Sequence, residues 1–520
     1  MSNALPRVTY SNIRVDLTPV HDHLDNEIPR VKARLLGRHW SNVIAGAPDE
    51  DGATYVVTTP IDRASAIGSF VAASPAAVAR ATSAAQGAFA QWSGTPWPAR
   101  VAILRRWAER LDGLKYDLAI ASLLETGKSR TEALGEAEEA IDLVRYYCAE
   151  IERHKGYMQD LSRVFPNEET TCLLRSLGVI GVISPFNYPV ALAVNMMAGA
   201  LTTGNTVVFK PSAGCALTAQ LLLQAMDGTG IPQGAVNLVA GGDETGRSLV
   251  AEPAIAGIAF TGSHEAGMGI FRALAGAPTA KLVIAEMGGK NPAYVTAAAD
   301  LDIAAQGVAR SAFGLQGQKC SACSVVYVQE RIRDEFVARL ARYAQQLKVG
   351  NPEQRDVFMG PLYSPQAAAR FRDNVKAAER DGKVIFGGEF IGGGSGGDYV
   401  QPTLVEVPRG HALVCEEQFL PMLALRSFDR LQEALAEGNA VRYGLTAGIY
   451  TTDQGELDLF LDRAEAGVLY ANRASGATTG AWPGIQSFCG WKGSGVSNKG
   501  GLGPHYLPQF MREQSRTIMR

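Results

Sequence analysis

Cysteine is scarce in this chain, with seven residues among 520. An odd, sparse set argues against a disulfide scaffold and for a reducing, cytoplasmic setting. Histidine is equally scarce at seven, and the only close pair is His21 and His23, in an N-terminal stretch without evident structure. One C-x-x-C pair has no second pair to complete four ligands, so no metal site is expected. Charge of one sign is also missing: the formal net charge is −3. That leaves no basic footprint for nucleic acid or for an anionic membrane surface. Long apolar runs are absent too. The start, MSNALPRVTYSNIRVDL, has no apolar core of the kind a secretory signal needs. The most apolar stretch, 190–201, is interrupted by Asn195 and is too short to span a bilayer. No internal repeat is evident.

What remains is an ordinary globular composition, 46% hydrophobic and 19% charged. At this length one core is not enough, and two or three domains are expected. Residues 1 to about 55 show no clear period and read as strands and loops lying on the body. A helix then opens with Ser74 as N-cap and Pro75 at its first position. Further helices are expected over 100–114 and 132–155, followed by a hairpin or arm near 156–176. From 177 to 286, short apolar strands alternate with helices (strands 178–184, 205–209, 235–240, 255–260 and 281–286). This spacing indicates a parallel sheet covered on both faces. A second βα-rich segment runs from 287 to 475. The last 25 residues lack a strong period and read as an arm that packs on a partner.

Two glycine-bearing stretches compete as a nucleotide site. Gly392, Gly394 and Gly397 match G-x-G-x-x-G, but neither a strand before nor a helix after supports it, so a hairpin tip is the better reading. In IAFTGSHEAG, 258–267, a strand ends, Gly262 allows a tight turn, and Ser263 can cap the next helix. Its N-terminal N–H groups would suit a pyrophosphate, or the feature is a plain cap.

QGQKCSACS, 316–324, places Cys320 and Cys323 three apart. A thioredoxin-like pair sits early in a small βαβ domain, unlike this one. The better reading is one nucleophile beside a bystander. A thiolate needs a helix N-terminus or a nearby cation, and Lys319 is adjacent. Cys323, expected on a helix, reads as small buried packing.

SPFNYP (184–189), VVFKPS (207–212), FTGS (260–263), EMGGKNP (286–292), GQKCSAC (317–323), CEEQFLP (415–421) and SFCGWKGSG (487–495) occur in that order. Together they resemble the aldehyde dehydrogenase superfamily over nearly the whole chain. Glu286 precedes Cys320 by 34 residues, the spacing typical of that family. RSAFGLQGQKCSACS (310–324), GATTGAWPGIQSF (476–488) and GLGPHYL (501–507) read like its pyrroline-5-carboxylate (glutamate semialdehyde) dehydrogenase branch. The resemblance implies an α/β fold with three parts. They are a Rossmann-type cofactor-binding domain (1–154 and 177–286), an α/β catalytic domain (287–475) and a β oligomerisation arm (155–176 and 496–520). It also implies a homodimer or higher homo-oligomer acting on a small-molecule aldehyde.

The same resemblance implies roles. Cys320 is the nucleophile, forming a thiohemiacetal and then a thioester. Asn187 and the Cys320 backbone N–H hold the oxyanion. Glu286 activates the water that releases a free acid, a base that a CoA-acylating relative would not need. Ser184 and Phe186 line the nicotinamide, and Lys210 holds the adenosine ribose. Gly262, Ser263, His264, Glu265 and Ala266 sit by the pyrophosphate. Glu417 holds the nicotinamide ribose, with Phe419 nearby. The cofactor is NAD, with NADP left open because Ala213 stands where many NAD-specific relatives carry Glu. Ser321, Gly480, Ala481 and Phe488 form the substrate set. Three departures stand out: Leu420 for a usual Gly, Ser487 and Cys489 for a usual Pro and Gly, and Trp482–Pro483 for small aliphatics. Restricted backbone freedom is expected at the replaced glycines. The substrate is glutamate semialdehyde or, if the pocket is retuned, an apolar or aromatic aldehyde. A thiol–disulfide oxidoreductase and an inactive binding protein are the other readings.

Overall fold

Alternation along Val179–Ile183 sends Ile180 and Val182 to one core and Val179 and Ile183 to another, so the strand is covered on both faces. The computed structural model describes residues 5–9, 16–392, 396–476 and 482–520. Val179–Ile183 is the third strand of a seven-stranded sheet ordered Leu282–Glu286, Ile255–Thr261, Val179–Ile183, Thr206–Lys210, Val236–Leu238, Asn42–Ile44 and Ala47–Asp49. The first five strands are mutually parallel. The chain starts in the middle of the five, builds outward on one side, then returns to the other. That creates a topological switch point between Val179–Ile183 and Ile255–Thr261, where ligands bind in open α/β sheets.

A second seven-stranded sheet is ordered Lys383–Phe386, Thr403–Glu406, Met422–Phe428, Cys323–Gln329, Asn291–Val295, Thr446–Tyr450 and Val468–Ala471. All but the first strand run parallel to their neighbours. The two sheets are joined by the short link 287–290, between Leu282–Glu286 and Asn291–Val295. Residues at the carboxyl ends of the first sheet therefore face residues at the amino ends of the second.

Several expectations need correction. The N-terminal region is not all strand and loop: Thr18–Leu35 is a helix that buries Val20, Leu24, Ile28, Val31 and Leu35. Those five positions form a helical stripe. Pro29 inside the helix disguises it, and the packed stripe outweighs the lost backbone hydrogen bond. His21 and His23 lie on this helix, with the His23 ring 4.3 Å from that of Tyr116. Lys115–Thr126 is a helix buried continuously from Leu118 on, so it has no amphipathic period to read. Cys323 opens a strand, Cys323–Gln329, rather than riding a helix. Its sequence, CSVVYVQ, is rich in β-branched and aromatic residues that suit a buried pleat.

Near the C-terminus, Met511–Met519 pairs antiparallel with Glu168–Ser176, which also pairs with Met158–Asp160. Eight of the nine residues of Met511–Met519 are exposed, so no hydrophobic period marks it. The G-x-G-x-x-G stretch lies between Phe390–Ile391 and Tyr399–Val400, which pair as a hairpin, and Gly394 falls outside the described residues. Among the described residues no helix is long and apolar enough to cross a membrane. None of their His, Cys, Asp and Glu side chains form a group of three or more placed to hold a metal ion.

Candidate active site

Cys320 sits on a loop whose backbone is held in an unusual shape. Leu315, Gln316 and Gly317 all take positive φ, at 48°, 57° and 66°. Gln316 is fully buried and donates through Nε2 to the carbonyls of Gly127 and Pro361, each at 2.8 Å. Gly317 is compulsory, since a Cβ there would stand 2.1 Å from the Leu420 carbonyl oxygen. The Cys320 and Ala322 carbonyls accept from Asn291 Nδ2 at 2.8 and 2.9 Å. The Cys320 loop is thus anchored to the start of a central strand of the second sheet.

Lys319 gives Cys320 no electrostatic help. Its ammonium is 2.5 Å from Glu132 Oε1 and buried. Burial, with the Glu417 and Glu286 carboxylates behind it, pushes the Cys320 thiol up to about 12, against a hydrogen bond from Ser321 that lowers it. At neutral pH the sulfur keeps its proton until a base removes it. Cys323 is 2% exposed in the core beside Val326 and Phe336, and its thiol donates to the Val325 carbonyl. Both thiols are free. Cys323→Ala is expected to leave turnover within about two-fold and to cost about 1 kcal/mol in stability, as a small core truncation does. Steady-state assays and urea unfolding check this, and loss of turnover would restore the redox-pair reading.

Glu286 ends the first sheet. Burial raises its carboxyl to about 7, against the Gly501 N–H, which donates to Oε1 at 3.0 Å. Asn187 is buried, and its Nδ2 donates to the Gln318 carbonyl at 2.9 Å, two residues before Cys320. Sequence reading missed what holds Asn187. Lys128, fully buried, pairs with Glu136, donates to the Asn187 carbonyl at 2.7 Å and lies 4.4 Å over the Tyr188 ring. Glu136 Oε1 accepts the Val190 and Ala191 N–H groups, at 2.7 and 3.1 Å, where Ala191–Thr202 begins. A carboxylate suits that helix end. The signal was there: charged residues on segments otherwise buried.

The remaining expected cofactor residues gather at the switch point. Ser184 follows Val179–Ile183, and its buried Oγ has no hydrogen-bond partner among the described residues. Lys210 ends Thr206–Lys210 and is 8% exposed, so it is no solvated lysine. Burial lowers its pKa, with Asp243 acting against that. Ser263 Oγ accepts from Ala266 N at 3.2 Å and caps His264–Ala275, as expected. Gly262 is needed for a different reason than a turn. It does not take positive φ; a Cβ there would stand 2.4 Å from the Phe260 ring. His264 turns its Nδ1 to the Gly493 carbonyl, at 2.8 Å.

Across the gap, Glu417 Oε1 accepts from Gly289 N at 2.9 Å, and burial raises that carboxyl to about 7. Phe186 stacks on Tyr363, with ring centroids 3.9 Å apart, and meets Phe419 edge-on at 5.9 Å. Tyr363 was not anticipated. Leu420, Ser487 and Cys489 take no positive φ, so the missing glycines cost no strain there, whereas Phe419 does take it, at 57°.

Cys320, Ser321, Glu286 and Phe488 line one cleft with Glu139, Leu143, Tyr188, Leu192, Asn195 and Leu502. The cleft encloses about 570 Å³ including its solvent mouth. Glu139 was not foreseen; it puts a carboxylate into an otherwise mostly apolar wall. Gly480 and Ala481 lie outside the described residues. Trp482 does not fill the cleft: its indole N–H donates to Asp142 Oδ2 at 2.8 Å.

Comparison with known proteins agrees with this geometry. Residues 47–515 match the aldehyde dehydrogenase family. The chain is 34% identical to the 1-pyrroline-5-carboxylate dehydrogenase of Anoxybacillus flavithermus, over 93% of each chain. It is 35% identical to that of Geobacillus thermodenitrificans, over 94% of each. A point variant of the Thermus thermophilus 1-pyrroline-5-carboxylate dehydrogenase superposes with a TM-score of 0.93 at 30% identity, covering all of both chains. A Thermus enzyme of that name with bound NAD gives 0.92 at 29%.

Proposed function

The chain belongs to the aldehyde dehydrogenase family, and from that premise we propose that it oxidises L-glutamate 5-semialdehyde to glutamate with NAD. The observation that carries the reading is the sharing of one cleft by the Cys320 thiol and the Glu286 carboxyl. Cys320 Sγ gives its proton to water at the cleft mouth and attacks the aldehyde carbon, and the negative charge that develops on oxygen meets the Asn187 amide and the Cys320 N–H. An amide carries two N–H donors, so Asn187 can keep its bond to Gln318 and still offer one. When bound, NAD supplies a hydride acceptor. Glu286, poised near neutrality, takes a proton from the water that cleaves the thioester.

Residues at the switch point fit a dinucleotide. The Ser184 hydroxyl lacks a partner among the described residues, the capped helix His264–Ala275 presents free N–H groups, and Lys210 lies over Gly246, its Cε 3.9 Å from where a Cβ would stand. Glu417 and Phe419 would close on the nicotinamide side. On the substrate side, the Ser321 hydroxyl can turn from Cys320 to a substrate carboxylate, and Glu139 lies in the same cleft. An apolar or aromatic aldehyde is the second reading, favoured by Leu143, Leu192, Phe488 and Leu502 in the wall.

The division into cofactor-binding (1–154, 177–286) and catalytic (287–475) domains is supported by the two sheets meeting at 287–290. An oligomerisation arm (155–176, 496–520) is supported by the edge strand Met511–Met519 and by exposed Met158, Val164, Phe165 and Ile518. A cytoplasmic site is supported by seven free thiols. The test is a panel of glutamate semialdehyde, hexanal and benzaldehyde, each with NAD and NADP. The highest kcat/KM is expected for glutamate semialdehyde with NAD. Preference for hexanal or benzaldehyde moves the reading to the second substrate class, and no oxidation of any aldehyde overturns both.

A further inference from the structure

The two walls of the cleft come from separate parts of the chain. One is the helix Arg130–Arg153, which turns Glu139 and Leu143 inward. The other is formed by Phe488, Gly501 and Leu502. Its two segments are joined where Gly484 N donates to the Leu502 carbonyl and Phe488 N to the Gly501 carbonyl, each at 2.9 Å. Trp482 links the walls through its bond to Asp142, one turn along the helix from Glu139.

This link is clamped from a third direction. Arg7 Nη2 lies 2.6 Å from Asp142 Oδ2, and its Nε lies 3.0 Å from Glu138 Oε2. Its guanidinium stands over the Trp482 ring, 5.6 Å from the centroid. Glu138 and Asp142 are four apart and share a helix face, so one fork can span both. Val8, 2% exposed in the main core, fixes the segment that carries Arg7. Arg145 and Lys115 add charge at the rim, 3.6 Å from Asp142 and 3.3 Å from Glu138.

We propose that Arg7, Asp142 and Trp482 form a tie that sets the width of the cleft and so selects among aldehydes by size. The inference rests on the assignment of this cleft to the aldehyde. A substrate that fills the cleft touches both walls and loses contact when they part. A short aldehyde touches only the Cys320 end and is indifferent.

The full-length enzyme is assayed with propanal and hexanal as Arg7→Ala, Arg7→Lys and Trp482→Phe variants. In Arg7→Ala the KM for hexanal is expected to rise about two- to five-fold, the range of a partly exposed ion pair, with propanal unmoved. Trp482→Phe keeps the bulk but loses the charge-assisted hydrogen bond, so a rise of about ten-fold is expected. Arg7→Lys restores part of the loss. Raising salt to about 0.5 M should weaken hexanal binding to the wild type and leave Arg7→Ala unaffected. KM values for the two aldehydes that move together, or not at all, overturn the tie. Amide hydrogen exchange at Gly484 and Phe488, expected to quicken in Arg7→Ala, decides the matter without turnover. Unchanged exchange overturns the tie, whereas failure of the wild type to oxidise any aldehyde overturns only the assignment of the cleft.

Discussion

Cys320→Ala is expected to lower kcat roughly 10⁴- to 10⁶-fold, the scale on which loss of a covalent nucleophile is felt. The folded chain should survive, because the loop is held by atoms other than the sulfur. Gln316 and Asn291 make the hydrogen bonds that shape it, and Gly317 provides the close approach to Leu420. Reduced nicotinamide absorbance measures the first point and thermal unfolding the second. The raised thiol pKa adds a second check. Alkylation by iodoacetamide should rise steadily with pH across the neutral range and above, since a thiol held near 12 by burial and two carboxylates has no plateau there. Turnover retained without the sulfur would remove the basis of the mechanism.

Glu286→Gln is expected to arrest the reaction halfway. The first half needs the Cys320 sulfur, whose proton can leave to water at the cleft mouth, and the oxyanion donors; the second needs a base for water. A single burst of reduced nicotinamide should therefore appear, followed by steady-state turnover lowered about 10²- to 10⁴-fold. Mass spectrometry should find the chain heavier by one acyl group at Cys320. The pH dependence follows from the raised carboxyl. Glu286 works as a base only when ionised, so wild-type hydrolysis should fall as pH drops below about 7 and level off above it. In the Gln variant that dependence disappears. Normal acid release with no adduct would assign the water-activating step to another group.

The sequence carried the chemistry further than the architecture. Cys320, Glu286, Ser321 and Phe488 were legible from motifs, and the fold brings them to one cleft because the motifs fall at strand ends. The alternating strands of 177–286 were legible because each is short, apolar and bounded by turn residues. The helix Thr18–Leu35 was not, since Pro29 masks its stripe. Cys323 was misplaced on a helix because i, i+3 spacing suggests one, whereas the strand is dictated by the β-branched residues after it. Lys128, Glu136, Glu139 and Tyr363 were passed over for another reason. Charge among buried neighbours marks Lys128 and Glu136, but what they hold, Asn187, Val190 and Ala191, and what Tyr363 stacks on, Phe186, lie far along the chain and are not revealed by reading it alone.

The bond from Gly501 to Glu286 has a consequence for the order in which the molecule becomes competent. A chain emerging from the ribosome presents Cys320 long before residues 501–520. Until those arrive and Met511–Met519 zips onto Glu168–Ser176, the carboxylate at 286 lacks the N–H that aims it. The same residues carry Leu502, Tyr506, Leu507 and Phe510 into the main core, so the base is aimed only as the interior is finished. Translation that stops short at residue 500 therefore leaves neither a closed cleft nor an aimed carboxylate.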